Sequence, residues 1–190
     1  DAECARSDLC HGAHPGIPRE RVPGRQRILE DMAHYRTTVT SPAGADTAYD
    51  YLADFASVAQ WDPTVSSASL ISGEPGALGA RYRVVIGRAP LNWTLDYEIV
   101  AAERPAGAAA PGGGRVALRA RNRDVESYDV ITFTPRPDGG TDVSYDARLT
   151  GNGPRALFDP GFWLAMQVIG RRARSGLAAA VAALPKPAAS

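Results

Sequence analysis

The chain has 190 residues, 44% of them hydrophobic and 22% charged, and its formal net charge is zero. That is enough for one globular domain with a real core, and the neutral balance carries no electrostatic footprint for nucleic acid or an anionic bilayer. All cysteines and histidines (Cys4, Cys10, His11, His14 and His34) lie in the first 34 residues. Thiolate, imidazole and ordinary zinc chemistry are therefore excluded from the rest of the chain, including Ser-His-Asp and Cys-His catalysis.

Residues 1–31 show no sustained periodicity and are rich in Pro, Gly, Arg and acids, which predicts a disordered leader, with Met32 opening the first regular segment. The leader's C-x5-C-H-x2-H spacing fits no common zinc module, so no metal is expected. "YRTTVT" (35–40) alternates and is β-branched, as a strand does. In "SPAGADTAYDYLADFASVAQW" (41–61), Tyr49, Leu52, Phe55, Ala56 and Ala59 recur at helical steps, with a break near Asp54. Trp61-Asp62-Pro63 ends this helix pair, because the residue before a proline disfavours α geometry.

Strands then succeed one another. "SSASLIS" (66–72) is short, and "GARYRVVIG" (79–87) sets Tyr82, Val84 and Ile86 on one face. "LNWTLDYEIV" (91–100) alternates most cleanly: Leu91, Trp93, Leu95, Tyr97 and Ile99 share one face, and Asn92, Thr94, Asp96 and Glu98 the other. That pattern describes a sheet with one wet side. A loose Ala/Gly/Pro loop (105–114) precedes two strands that meet in "RARNRDVESYDVITF" (119–133). Pairing 122 with 125, 120 with 127 and 118 with 129 sets Arg121 opposite Glu126 and Arg119 opposite Tyr128 on the outer face. The other face then carries Val116, Leu118, Ala120, Asn122, Val125, Ser127, Asp129, Ile131 and Phe133. After the turn "PDGG", "TDVSYDARL" (141–149) is the last strand, with Val143, Tyr145, Ala147 and Leu149 aligned.

The chain closes on a long helix from Phe162 to Leu184, about 35 Å at the usual rise. Its stripe is Phe162, Met166, Ile169, Ala173, Gly176, Leu177, Ala180 and Leu184, with Arg171 and Arg174 pointing away. The small residues of the stripe either leave room beside the helix or let the sheet approach closely. The longest late apolar run, "GLAAAVAAL", has nine residues. A span needs ~20, so no membrane insertion is expected and a soluble cytoplasmic protein is. Lys186 is the only lysine, and together with the abundant Ala, Gly and Pro this reads as the coding bias of a GC-rich bacterial genome. The element order (strand, helix pair, six strands, long helix) predicts an α+β fold over residues 32–184, with 185–190 as a tail.

This order, carried by "YDYLADFASVAQWDPTV" (49–65), "GALGARYRV" (76–84), "LDYEIV" (95–100), "SYDVITFTP" (127–135), "GGTDVSYDARL" (139–149) and "LFDPGF…IGRRARSGLAAAVAAL" (157–184), resembles the START and Bet v 1-like (SRPBCC) superfamily, in particular its polyketide cyclase/dehydrase-like members. The resemblance implies a helix-grip fold, in which a seven-stranded antiparallel sheet curls around the C-terminal helix. It also implies an elongated cavity between them, which in relatives holds lipids, steroids or polyketides.

The expected ligand is therefore a small apolar or amphipathic molecule, lined by Trp61, Tyr82, Trp93, Tyr97, Leu118, Asn122, Ser127, Asp129, Tyr145, Met166, Ile169 and Ala173. Asn122, Ser127 and Asp129 would orient its polar end; alternatively Asp129 is a structural brace satisfied by backbone or arginine, and Ser127 and Asn122 lie near the strand ends in water. Asp129 is the one plausible inward carboxylate and the candidate catalytic acid or base of a cyclase-like enzyme, with Tyr97 or Tyr145. No phosphate loop, dinucleotide fingerprint or metal motif appears, so no cofactor is expected. A carrier or sensor, a cyclase-like enzyme and a partner-binding protein with a collapsed interior all remain open at this point.

Overall fold

The computed structural model describes residues 31–106, 113–123, 125–151 and 173–187. The expected leader up to residue 30 with its Cys/His cluster, the middle of the Ala/Gly/Pro loop, and the first half of the terminal helix with Phe162, Met166, Ile169 and Arg171 lie outside these.

Strand β1 (Asp31–Ser41) begins four residues before the "YRTTVT" run and is followed by α1 (Ala45–Ala53), a 3-10 turn (Phe55–Ser57) and α2 (Val58–Trp61). The expected break falls on Asp54, whose backbone is extended and whose carboxylate accepts from the Ala56 N–H at 3.3 Å. At the end of α2, Asp62 is extended as its Pro63 neighbour demands, and its Oδ1 accepts from both the N–H (2.8 Å) and the hydroxyl (2.6 Å) of Thr64.

Strands β2 (Val65–Ser72), β3 (Arg81–Arg88), β4 (Leu91–Glu103), β5 (Gly114–Arg121), β6 (Val125–Pro135) and β7 (Thr141–Gly151) complete a seven-stranded sheet in the order β1-β7-β6-β5-β4-β3-β2. Each neighbouring pair is antiparallel. Because β1 and β2 are consecutive in sequence but occupy opposite edges, the helical segment between them must cross the sheet. It crosses the apolar face: Ala48, Tyr49, Leu52, Phe55, Val58 and Trp61 are buried with the inward rows of the strands in one core. Tyr49 lies against Phe133 at 5.3 Å between ring centroids, and Phe55 against Tyr97 at 5.1 Å.

The two-residue alternation holds on both faces. Leu95, Tyr97 and Ile99 are buried, whereas Asp96 is held on the wet side by paired hydrogen bonds from Arg83, both 2.9 Å. Val100 is exposed on the outer face, as alternation after Ile99 dictates, and the pairing with β5 shifts register between Ile99 and Ala101. The β5–β6 register is the expected one, Leu118 opposite Asp129 and Ala120 opposite Ser127. On the outer face Arg121 stands opposite Glu126 and pairs with it at 3.9 Å, as expected, whereas Arg119, opposite Tyr128, reaches diagonally to the same Glu126 at 2.7 Å.

Residues 173–182 form helix α3, within the stretch expected to be the terminal helix. Its buried stripe is Ala173, Leu177 and Val181, every fourth residue; Val181 takes a place that the sequence pattern had not assigned. At Gly176 the small residue of the stripe faces another helix. A Cβ there would stand 1.8 Å from the Trp61 carbonyl oxygen, so the glycine lets α3 press on the end of α2. The helix is also tied to the edge of the sheet, where Ser41 Oγ donates to the Val181 carbonyl at 2.7 Å and accepts from the Ala43 N–H at 3.1 Å. The fold is the helix-grip α+β arrangement, with an open sheet.

Candidate functional site

Apolar side chains fill most of the inward face. The exception is a buried polar cluster near the middle of β6. Asp129 is only 2% exposed. Its Oδ1 accepts from Ser127 Oγ at 2.8 Å and its Oδ2 from the Tyr145 hydroxyl at 2.7 Å. Ser127 in turn accepts from the Tyr97 hydroxyl at 3.1 Å. Strand alternation explains the placement: Ser127 and Asp129 are i and i+2 on one strand, and Tyr145 and Tyr97 stand in inward rows of β7 and β4.

Burial dominates the electrostatics. It pushes the Asp129 carboxyl up to about 6, against the opposing pull of hydrogen bonds from Tyr145 and Ser127, and the negative charges of Asp62 and Asp146 push the same way. Burial, reinforced by the Asp129 charge, also holds the Tyr97 and Tyr145 hydroxyls well above the usual phenol range. Asp62 is raised too, by desolvation, although its bonds from Thr64 oppose this. Among the described residues no arginine or lysine pairs with Asp62 or Asp129.

Trp61 roofs the cluster from α2. It is 2% exposed and sits edge-on to Tyr145, with centroids 5.6 Å apart and planes at 79°. Its indole N–H is buried without a hydrogen-bond partner. From the other side Tyr35 of β1 meets Tyr145 edge-on at 6.2 Å. The Tyr35 hydroxyl is also buried; Thr37 is beside it, but no hydrogen bond of normal geometry joins them.

The residues expected to line the site separate into groups. Trp61, Tyr97, Ser127, Asp129 and Tyr145 come together, and Leu118 is fully buried opposite Asp129. Tyr82 is buried directly across from Tyr97 on β3, but its hydroxyl turns to the β2–β3 loop, where it accepts from the Gly76 N–H at 2.9 Å. Trp93 belongs to the inward row of β4 but lies near its far end, 41% exposed. Asn122 does not line the site and follows the alternative of a strand-end residue in water: it is exposed at the β5–β6 turn, where its Oδ1 accepts from the Val125 N–H at 2.9 Å, because a row continued to a strand end leaves the covered part of the face. Ala173 is buried in the stripe of α3, and Met166 and Ile169 lie outside the described residues.

Tyr35 was missed by sequence reasoning, although its signal was available: it is in register with Thr37 and Val39, both inward. Among the described residues no group of His, Cys, Asp and Glu could hold a metal ion, and no helix is long and apolar enough to cross a membrane.

Against known proteins, the family described as polyketide cyclase/dehydrase and lipid transport matches residues 32–184. No curated protein matches the sequence. Solved structures share the fold at low identity. A START superfamily protein from Mycobacterium smegmatis aligns with a TM-score of 0.57 at 14% identity, covering 78% of this chain and 96% of that one. The Zhui aromatase/cyclase from Streptomyces sp. R1128 aligns at 0.56 and 17%, covering 78% and 90%. A STAR-related lipid transfer protein from Xanthomonas axonopodis aligns at 0.56 and 21%, covering 78% and 85%.

Proposed function

The chain belongs to the polyketide cyclase/dehydrase and lipid transport family, and from that premise we propose that it holds a small apolar or amphipathic molecule between the sheet and the terminal helix, with the molecule's polar end at the Tyr97–Ser127–Asp129–Tyr145 cluster. A cytoplasmic carrier or sensor is the leading form of this reading. The observation that carries it is the buried carboxyl of Asp129. A carboxylate can accept about four hydrogen bonds and this one receives two, deep in an otherwise apolar face. An apolar residue there would pack without the desolvation penalty, so stability alone does not account for the group.

Native mass spectrometry of protein purified from its own host tests the reading. The expected result is a retained small apolar molecule, released on denaturation. Absence of any adduct, together with failure to take up a neutral apolar fluorophore, would refute it.

The second reading, a cyclase- or dehydratase-like enzyme, is favoured by one specific feature. A carboxyl held at about 6, flanked by two tyrosines, can take or give a proton near neutral pH. The relatives named above include an aromatase/cyclase as well as a lipid transfer protein. Asp129→Asn separates the two readings. An enzyme would lose about 10²–10⁴ in turnover while still binding its ligand; a carrier would show no turnover before or after the change.

A further inference from the structure

The polar cluster also has a definite hydrogen-bonding complement, and this points to the chemistry of the ligand's head. On one side is a buried indole N–H, that of Trp61, which can only donate and has no partner. On the other is Asp129, whose ionised carboxyl can only accept. Both flank Tyr145, Trp61 through its ring at 5.6 Å and Asp129 through a 2.7 Å hydrogen bond. A second carboxyl, Asp62, follows Trp61 directly and acts electrostatically on Asp129, Tyr97, Tyr145 and Tyr35; at Tyr35 alone the charge of Arg174 opposes it. No cation among the described residues pairs with either carboxyl.

We propose that the site selects a neutral hydroxyl head, an alcohol or phenol on an apolar body, and discriminates against carboxylate and phosphate heads. The inference rests on the ligand-binding reading above and specifies it. A hydroxyl can accept from an indole N–H and donate to a carboxylate, which matches the complement of both groups. A carboxylate or phosphate dianion satisfies the indole, but offers no proton to Asp129 and brings a further negative charge beside two carboxyls in a desolvated interior. The aromatic faces of Tyr35, Tyr97 and Tyr145 suit a flat apolar body.

Three ligands with one ring system test this at pH 8, by titration calorimetry on the full chain: naphthalene, 2-naphthol and 2-naphthoate. The expected order is naphthol tighter than naphthoate by about tenfold or more, the scale of one unmet buried hydrogen bond to a charged group. Trp61→Phe keeps an aromatic six-membered ring at the position and removes the N–H with the five-membered ring that carries it. It should weaken naphthol severalfold and leave naphthalene unchanged. Asp129→Asn should narrow the gap by admitting naphthoate. Naphthoate binding as tightly as naphthol, or Trp61→Phe weakening naphthol and naphthalene equally, would overturn the neutral-head selection while leaving the ligand-binding reading intact. If none of the three binds, the ligand-binding reading falls and this inference falls with it.

Discussion

Asp129 is the residue at which the protein's chemistry and its stability oppose each other. Its carboxyl titrates near 6 in the folded chain, above the ordinary 3.8. A raised folded value means that the folded state holds its proton more tightly than the unfolded state. The associated stability is therefore fully present below pH 4 and is lost as pH rises through 6. The full excursion is about 3 kcal/mol for this group. Urea titrations at pH 4.5 and pH 7.5 should show the wild-type chain losing stability between them. Asp129→Asn, which keeps an acceptor for Tyr145 and cannot ionise, should flatten much of that slope and be no less stable than wild type at pH 7.5. A residual slope of the same sign is expected from Asp62, which burial also raises. If Asp129→Asn unfolds the protein at pH 7.5, the carboxylate is a structural brace.

At the scale of the element, two contacts decide where helices and hairpins sit. Gly176 on α3 faces the Trp61 carbonyl so closely that a Cβ would fall 1.8 Å from it. In an exposed helix Gly→Ala stabilises by about 1 kcal/mol. Here the order should reverse, and Gly176→Ala should destabilise by about 1–3 kcal/mol as α3 is pushed off α2; equilibrium denaturation measures the sign directly. At the β5–β6 turn, Asn122 Oδ1 closes the hairpin on the Val125 N–H. Asn122→Ala should lower stability by about 1 kcal/mol and leave ligand affinity unchanged, whereas a ligand-contacting amide would show the opposite pattern. The hairpin's register was legible from alternation and the turn residues. The end of its buried row was not, because alternation tells which face a residue takes and not how far along the strand that face stays covered.

Over the whole molecule, the sheet's two edges are bridged from opposite directions. The α1–α2 segment runs from edge strand β1 to edge strand β2, and α3 is fastened back to β1 through the Ser41 hydroxyl and the Val181 carbonyl at 2.7 Å. Ser41→Ala removes that fastening, leaves the Val181 carbonyl only the weak 3.4 Å bond from the Leu184 N–H, and strips the buried Ala43 N–H of its acceptor. A loss of about 1–2 kcal/mol is expected, with faster amide hydrogen exchange concentrated in residues 173–182 and little change in β3–β6. Uniform acceleration across the sheet would mean instead that helix and sheet open as one unit. A ligand held between them should raise the thermal midpoint and slow exchange in both, since binding to the folded state alone stabilises it by mass action.

The linear sequence by itself determined the order and type of the elements, the break at Asp54, the pairing of β5 with β6 and the inward facing of Ser127, Asp129, Tyr97 and Tyr145. These depend on periods of two or about four residues and on local backbone preferences, which a short stretch of chain already contains. Only the tertiary structure decided that Tyr35, Trp61, Tyr97, Asp129 and Tyr145 meet in one place, that the hydroxyl of neighbouring Tyr82 is taken up by the Gly76 N–H, that Asn122 does not join them, and that Gly176 answers to a carbonyl on another helix. Those groups arrive from five elements spread between positions 35 and 145, and periodicity carries no information on which rows become neighbours once the sheet curves. Burial and the nearby charges, set by that curvature, are what lift the Asp129 carboxyl to about 6.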